Sequence, residues 1–231
     1  VSAATTHTPN GAESRPVSRR VIGWLIAIPT MLVAFIMLGV MGSGPDVSAL
    51  RFPSLLLSNT PTGGDLGAHV LLPELLRTDL LPSWMLTGWS DAAFAGFPVL
   101  TFYFPLPMLT AAVLGWLIPS GIALKLVVSA GLVALPAAGF FLVRSMGVDR
   151  LVAAVAASGA AAFVFMESYD IFGGNIKSTL AGEFSFSWSL TLALVYLALV
   201  ARDVREGGRV QVWPGAVLAL VALSHVVSAV V

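Results

Sequence analysis

Apolar and polar positions fall into long blocks along this chain rather than into strict alternation or a one-sided stripe. Apolar runs long enough to cross a membrane cover residues 21–41, 121–143, 151–166, 184–200 and 212–231. A helix that is apolar on every side is either buried in a large core or surrounded by lipid, and about 20 residues cross a bilayer. The pattern therefore predicts an all-α, polytopic transmembrane helical bundle. Its spans lie at about 21–43, 121–143, 150–167, 183–201 and 212–231, with external loops at about 44–120 and 168–182. The run 102–118 is shorter, is broken by Pro105 and Pro107 and ends before Pro119.

Whether 102–118 crosses decides the orientation of everything after it. If it does not, and the N-terminus is cytoplasmic, then Arg15, Arg19, Arg20, Arg144, Arg150, Arg202, Arg205 and Arg209 are all inside. Only Arg51, Arg77 and Lys177 are outside, with Lys125 near the outer end of its span. A crossing would move Arg144, Arg150 and the 202–209 cluster outside. The excess of basic residues on cytoplasmic loops favours the first arrangement. Residues 102–118 then form a juxtamembrane or re-entrant helix near the outer surface.

Composition agrees with this pattern. The chain is 57% hydrophobic and 10% charged, with a mean hydropathy of +0.91, whereas about a quarter of residues in a soluble protein are charged. A net charge of zero provides no field suited to nucleic acid. The absence of cysteine excludes disulfides and thiolate metal sites. Residues 1–20 are polar and rich in Ser, Thr, Pro and Gly, and are expected to be a disordered cytoplasmic tail. The first apolar run is too long for a signal peptide and lacks a small-residue cleavage site, so it reads as a retained span. The initial Val is consistent with an alternative start codon. The last run reaches Val231 with no closing loop, which suggests continuation in a longer protein. The small residues of 153–162 suit close helix packing in lipid.

Polar chemistry gathers in the two external loops. In the first, Gly63 and Gly64 precede Asp65, and His69 follows four residues later. On a helix these two side chains share a face. Asp65 either caps that helix or is available as a base or metal ligand. Trp89, Asp91 and Tyr103 belong to an aromatic, Gly- and Pro-rich stretch. It reads either as an interfacial aromatic belt or as a platform for a sugar or lipid headgroup, with Asp91 accepting hydrogen bonds. The second loop carries Asp170, Asn175 and Lys177 and leads to Glu183 at the head of an apolar span. Lys177 can hold a phosphate or contact anionic lipid. His225, within the last run, either bonds to a neighbouring helix or joins the outer carboxylates in one site.

GGDLGAH after the first span, GWSDAAFAGFPVLTFYFPLP before the second, and GGN with AGEFSFS at the later loop form an ordered set. In this the chain resembles the actinobacterial and archaeal membrane proteins called "6-pyruvoyl-tetrahydropterin synthase-related". Their architecture is similar to the C-type (GT-C) superfamily of membrane glycosyltransferases, which use polyprenyl-phosphate-linked sugars. The resemblance implies a GT-C-like N-terminal module with juxtamembrane helices in the first external loop. It implies an acidic catalytic base or metal ligand at Asp65, and a donor or metal site to which Asp170 or Glu183 contributes. A divalent cation (Mg or Mn) is the cofactor it allows, at Asp65 and Glu183, although the chain has no Asp-x-Asp or Asp-Asp pair. The implied partners are the bilayer, a polyprenyl-phosphate sugar and a glycan or lipid acceptor. Lys177, His69 or His225 would then neutralise the leaving phosphate, with Trp89 and Tyr103 beside the sugar. Two other readings are a non-catalytic subunit of an envelope-assembly complex, working with other membrane subunits, and a lipid or sugar transporter.

Overall fold

The computed structural model describes residues 18–41, 54–92, 95–102, 104–167, 173–208 and 212–230. Most of the N-terminal tail expected to be disordered lies outside these residues. Helix α1 (Arg19–Val40) starts where the Ser18 side chain accepts a hydrogen bond from the Val21 amide. Helix α4 (Ser120–Ser145) and α7 (Phe184–Arg205) complete a set of three helices, among the described residues, long and apolar enough to cross a membrane. Only 17% of the most apolar window of α1 is buried within the chain, and 33% of that of α7. Both are therefore apolar well beyond the faces they bury.

Two expected spans are shorter than the apolar runs suggested. Helix α5 (Arg150–Val164) has 15 residues and α8 (Val212–Ser224) has 13. At 1.5 Å per residue they reach roughly 22 and 20 Å, against a hydrocarbon core of about 30 Å. Helix α8 stops because the chain breaks at His225 and Val226 before a last turn, α9 (Val227–Val230). The Ser189 hydroxyl of α7 stands 2.9 Å from the His225 carbonyl at this break and 3.1 Å from the Val221 carbonyl, which also accepts from the His225 amide at 2.9 Å. Within 102–118, α3 (Pro105–Leu114) has ten residues, opened by Pro105 at a position that needs no amide donor.

Helix α4 is the centre of the packing and touches α1, α3, α5 and α7. It meets α7 closely because Gly131 has no side chain. A Cβ there would lie 2.7 Å from the Ser187 carbonyl carbon and the Trp188 amide nitrogen. Two side chains of α7 use that closeness: Thr191 Oγ1 donates to the Gly131 carbonyl at 2.8 Å, and Trp188 Nε1 to the Val127 carbonyl at 2.7 Å. On the other side of α4, Gly139 faces Ala156 and Ala160 of α5, whose Ala153, Ala154, Ala157 and Ala161 are buried. At the far end, Gly147 after α4 touches Arg205 near the end of α7, so α4 and α7 run parallel and their basic ends coincide.

Lys125, in the second turn of α4, is fully buried. Its ammonium group donates to the Ser54 carbonyl (2.8 Å), the Leu57 carbonyl (2.7 Å) and Asn59 Oδ1 (2.8 Å). All three N–H donors are satisfied by oxygens of one short segment, which makes burial of the charge tolerable. Ser54 Oγ in turn donates to the Gly39 carbonyl at 2.6 Å. The segment 54–59 thus fastens the end of α1 to the start of α4.

The rest of the first loop is compact. A 3-10 segment (Gly64–Val70) leads into α2 (Leu71–Leu75), a π-type turn (Leu76–Leu80) and a last 3-10 turn (Leu81–Ser83). An antiparallel pair follows, β1 (Gly88–Ser90) with β2 (Phe97–Val99), in register Trp89 opposite Pro98. Leu66, Leu72, Leu75, Leu76 and Leu80 join the same core as Val33 and Met37 of α1 and Val127 and Val128 of α4.

Candidate functional site

Two glycine-bearing segments, far apart in the chain, close on each other. Gly64 has φ +47, and a Cβ on it would collide with the Ala181 carbonyl oxygen. Gly182 has φ +129, and a Cβ there would lie 2.9 Å from Asp65 Cβ. Both backbones adopt conformations open to glycine, and the contact leaves no room for a larger residue. Gly182 ends the short helix α6 (Ile176–Ala181), just before Glu183 and α7. GGDLGAH and AGEF therefore dock together, bringing Asp65 beside Glu183.

The capping position before the 3-10 segment belongs to Gly63, which leaves Asp65 in the first turn with an exposed side chain. Asp65 and His69 were expected on one face of an α-helix. In a 3-10 helix with about three residues per turn, positions four apart diverge. Both nevertheless line one cleft of about 490 Å³, Asp65 exposed and His69 buried, with Leu72, Leu75, Ser90 and Phe97 among its other walls. Apart from these two and Ser90, the walls are apolar or glycine.

Burial shifts Glu183 and His69 in opposite directions. Burial, with a smaller contribution from the Asp65 charge, raises the Glu183 carboxyl above its ordinary value. Burial lowers His69 to about 4, outweighing the opposite pull of Asp65. His69 is therefore neutral at pH 7, its ring edge-on to Phe184 with centroids 5.4 Å apart. It can orient a group by hydrogen bonding, but it does not bring the positive charge expected of it.

The other expected site residues are placed elsewhere. Asn175 caps α6, accepting from the Ser178 amide at 2.8 Å. Lys177 pairs with Glu167 at 3.3 Å and lines a separate cavity of about 160 Å³ with Ile36 and Val164. The ring of His225 lies between Phe104 (centroids 4.3 Å) and Phe186 (5.5 Å). Trp89 Nε1 donates to Asp91 Oδ1 at 2.9 Å, and the Trp89 ring covers Gly96, so this pair is engaged within its own hairpin. Tyr103 and Asp170 lie outside the described residues. The sequence marked the aromatic stretch through Trp89 and Asp91, but not the side chains of the hairpin that wall the Asp65 cleft, Ser90, Phe97 and Val99.

Among the described residues, no group of three His, Cys, Asp or Glu side chains is arranged to hold a metal ion. Asp65 and Glu183 are a pair of neighbouring carboxylates, one of them desolvated. Such a pair suits a hard divalent cation that completes its shell with water and substrate phosphate. No protein-family model, curated protein or solved structure matches the chain.

Proposed function

We propose that this chain is a multi-pass protein of the plasma membrane, its N-terminus cytoplasmic. On this reading it is a GT-C-like glycosyltransferase module that moves a sugar from a polyprenyl-phosphate donor to an envelope acceptor at the outer face. The observation that carries the reading is the docking of GGDLGAH on AGEF, which sets Glu183 next to Asp65, itself on the wall of a largely apolar cleft. Helix α7 runs about 33 Å from that point to its arginines, so site and basic end are on opposite sides of a membrane-sized slab. The resemblance of the motifs adds the chemistry.

In the proposed reaction an acceptor hydroxyl oxygen attacks the sugar C1 from the face opposite the phosphate. The C1–O bond breaks, and the phosphate leaves with the electron pair. Asp65, exposed at the cleft, takes the hydroxyl proton. Glu183, with its raised proton affinity, is suited to hold a proton or to share a divalent cation with Asp65. A bound cation would supply positive charge at the leaving phosphate, which the neutral His69 does not.

The test is Asp65→Asn in proteoliposomes supplied with polyprenyl-phosphate sugars. Transfer is expected to fall by about 10²–10⁴-fold, the usual contribution of a general base, with an unchanged melting temperature. Near-normal turnover by the variant would remove Asp65 from the reaction; absence of transfer by the parent chain itself would favour a non-catalytic subunit.

A further inference from the structure

One side chain of the first loop is explained neither by the core nor by its backbone. Trp84 follows the 3-10 turn Leu81–Ser83 at φ 56, ψ 31, the left-handed region where glycine is the usual residue. For a bulky residue this is an outlier. The backbone is closed by the Trp84 amide to the Leu81 carbonyl (3.0 Å) and the Met85 amide to the Leu80 carbonyl (2.9 Å). The indole itself contributes almost nothing to packing, being 97% exposed, and Met85 and Leu86 beside it are 46% and 47% exposed. From Leu80 to Ser90 there is no charged residue.

The geometry points to this turn as a membrane-interface contact, with Trp84, Met85 and Leu86 entering the boundary between headgroups and acyl chains. Tryptophan is enriched at that depth because its ring is apolar and its N–H is polar. The inference rests on the membrane reading of α1, α4 and α7. It adds a role for the loop: the turn and the cleft wall are one unit. Leu80 is buried, and a Cβ on Gly88 would lie 2.6 Å from its Cδ2, so β1 starts against the base of the turn. Ser90, on the same strand, lines the Asp65 cleft. Seating the turn in the interface holds the cleft at the height of a lipid headgroup, where a lipid-linked phosphate is presented.

The chain has no cysteine, so Met85→Cys offers a single attachment point for an environment-sensitive fluorophore while leaving Trp84 in place. The full chain is placed in phosphatidylcholine–phosphatidylglycerol nanodiscs. Quenching is compared for nitroxides at acyl position 5, nitroxides at position 12, and aqueous iodide. Position 5 is expected to quench most at residue 85, and adding Trp84→Gly should pass the advantage to iodide. A label at Ile28→Cys, 55% exposed on α1, is expected to be quenched most by position 12. Iodide dominance at residue 85 with deep quenching at residue 28 overturns the interface contact alone. Loss of deep quenching at residue 28 overturns the membrane reading beneath it. Trp84→Gly should leave the melting temperature equal or higher; a fall of several degrees would assign Trp84 to internal packing and overturn the proposal.

Discussion

At the scale of single residues, His69 is the side chain whose environment differs most from its appearance in the sequence. It is 4% exposed, and burial holds its folded value near 4, below the ordinary 6.5. Between those values the unfolded chain takes up a proton that the folded chain refuses, so His69 withdraws stability as pH falls from 6.5 towards 4. The full withdrawal is about 3 kcal/mol. Glu183, raised by burial and by Asp65, acts in the opposite sense: as pH falls through its raised value, the folded chain binds a proton first and gains stability. His69→Gln removes the histidine contribution and leaves that of Glu183. Melting temperatures in detergent from pH 7 to 4.5 are expected to fall more steeply in the parent than in His69→Gln. Equal slopes would show that His69 is not buried as described.

At the scale of elements, the contact between α4 and α7 depends on the one missing side chain at Gly131. Gly131→Ala would push Cβ into the Ser187–Trp188 backbone and strain the bonds from Thr191 and Trp188. Overpacking of this kind costs about 1–3 kcal/mol. For a chain of this size that is a drop of about 2–4 °C per kcal/mol. An unchanged melting temperature would mean that the helices meet differently. The positions of most helices could be read from apolar runs, since lipid-facing and packed residues are alike apolar. Their ends could not. The apolar run continues past Ser224, but the Ser189 hydroxyl takes up carbonyls where α8 stops. Nor did the row Ser185, Ser187, Ser189 and Thr191 announce itself: positions two apart fall on opposite sides of a helix, so Ser187 and Thr191 meet α4 while Ser189 meets α8.

At the scale of the whole molecule, the parallel run of α4 and α7 gathers Arg144, Arg202 and Arg205 at one end and the Asp65–Glu183 pair at the other. The proposed orientation puts the arginines inside. Single cysteines test it with a membrane-impermeant maleimide on intact cells: Thr62→Cys should label directly, and Glu206→Cys only after permeabilisation. The reverse pattern would invert the site to the cytoplasmic face.

The sequence by itself determined where the apolar helices fall and how basic residues sort along them, because both are local properties of composition. It also marked Asp65, His69 and Glu183 as residues worth weighing. Only the tertiary structure decided which of the marked residues meet. The close contact of Gly64 with Ala181 and of Gly182 with Asp65 selects Glu183 as the neighbour, and local bonds engage Asn175, Lys177 and Asp91 elsewhere. The physical reason is that hydropathy is additive along a chain, whereas a site depends on backbone approaches of a few ångströms between segments whose spacing in the sequence carries no such information.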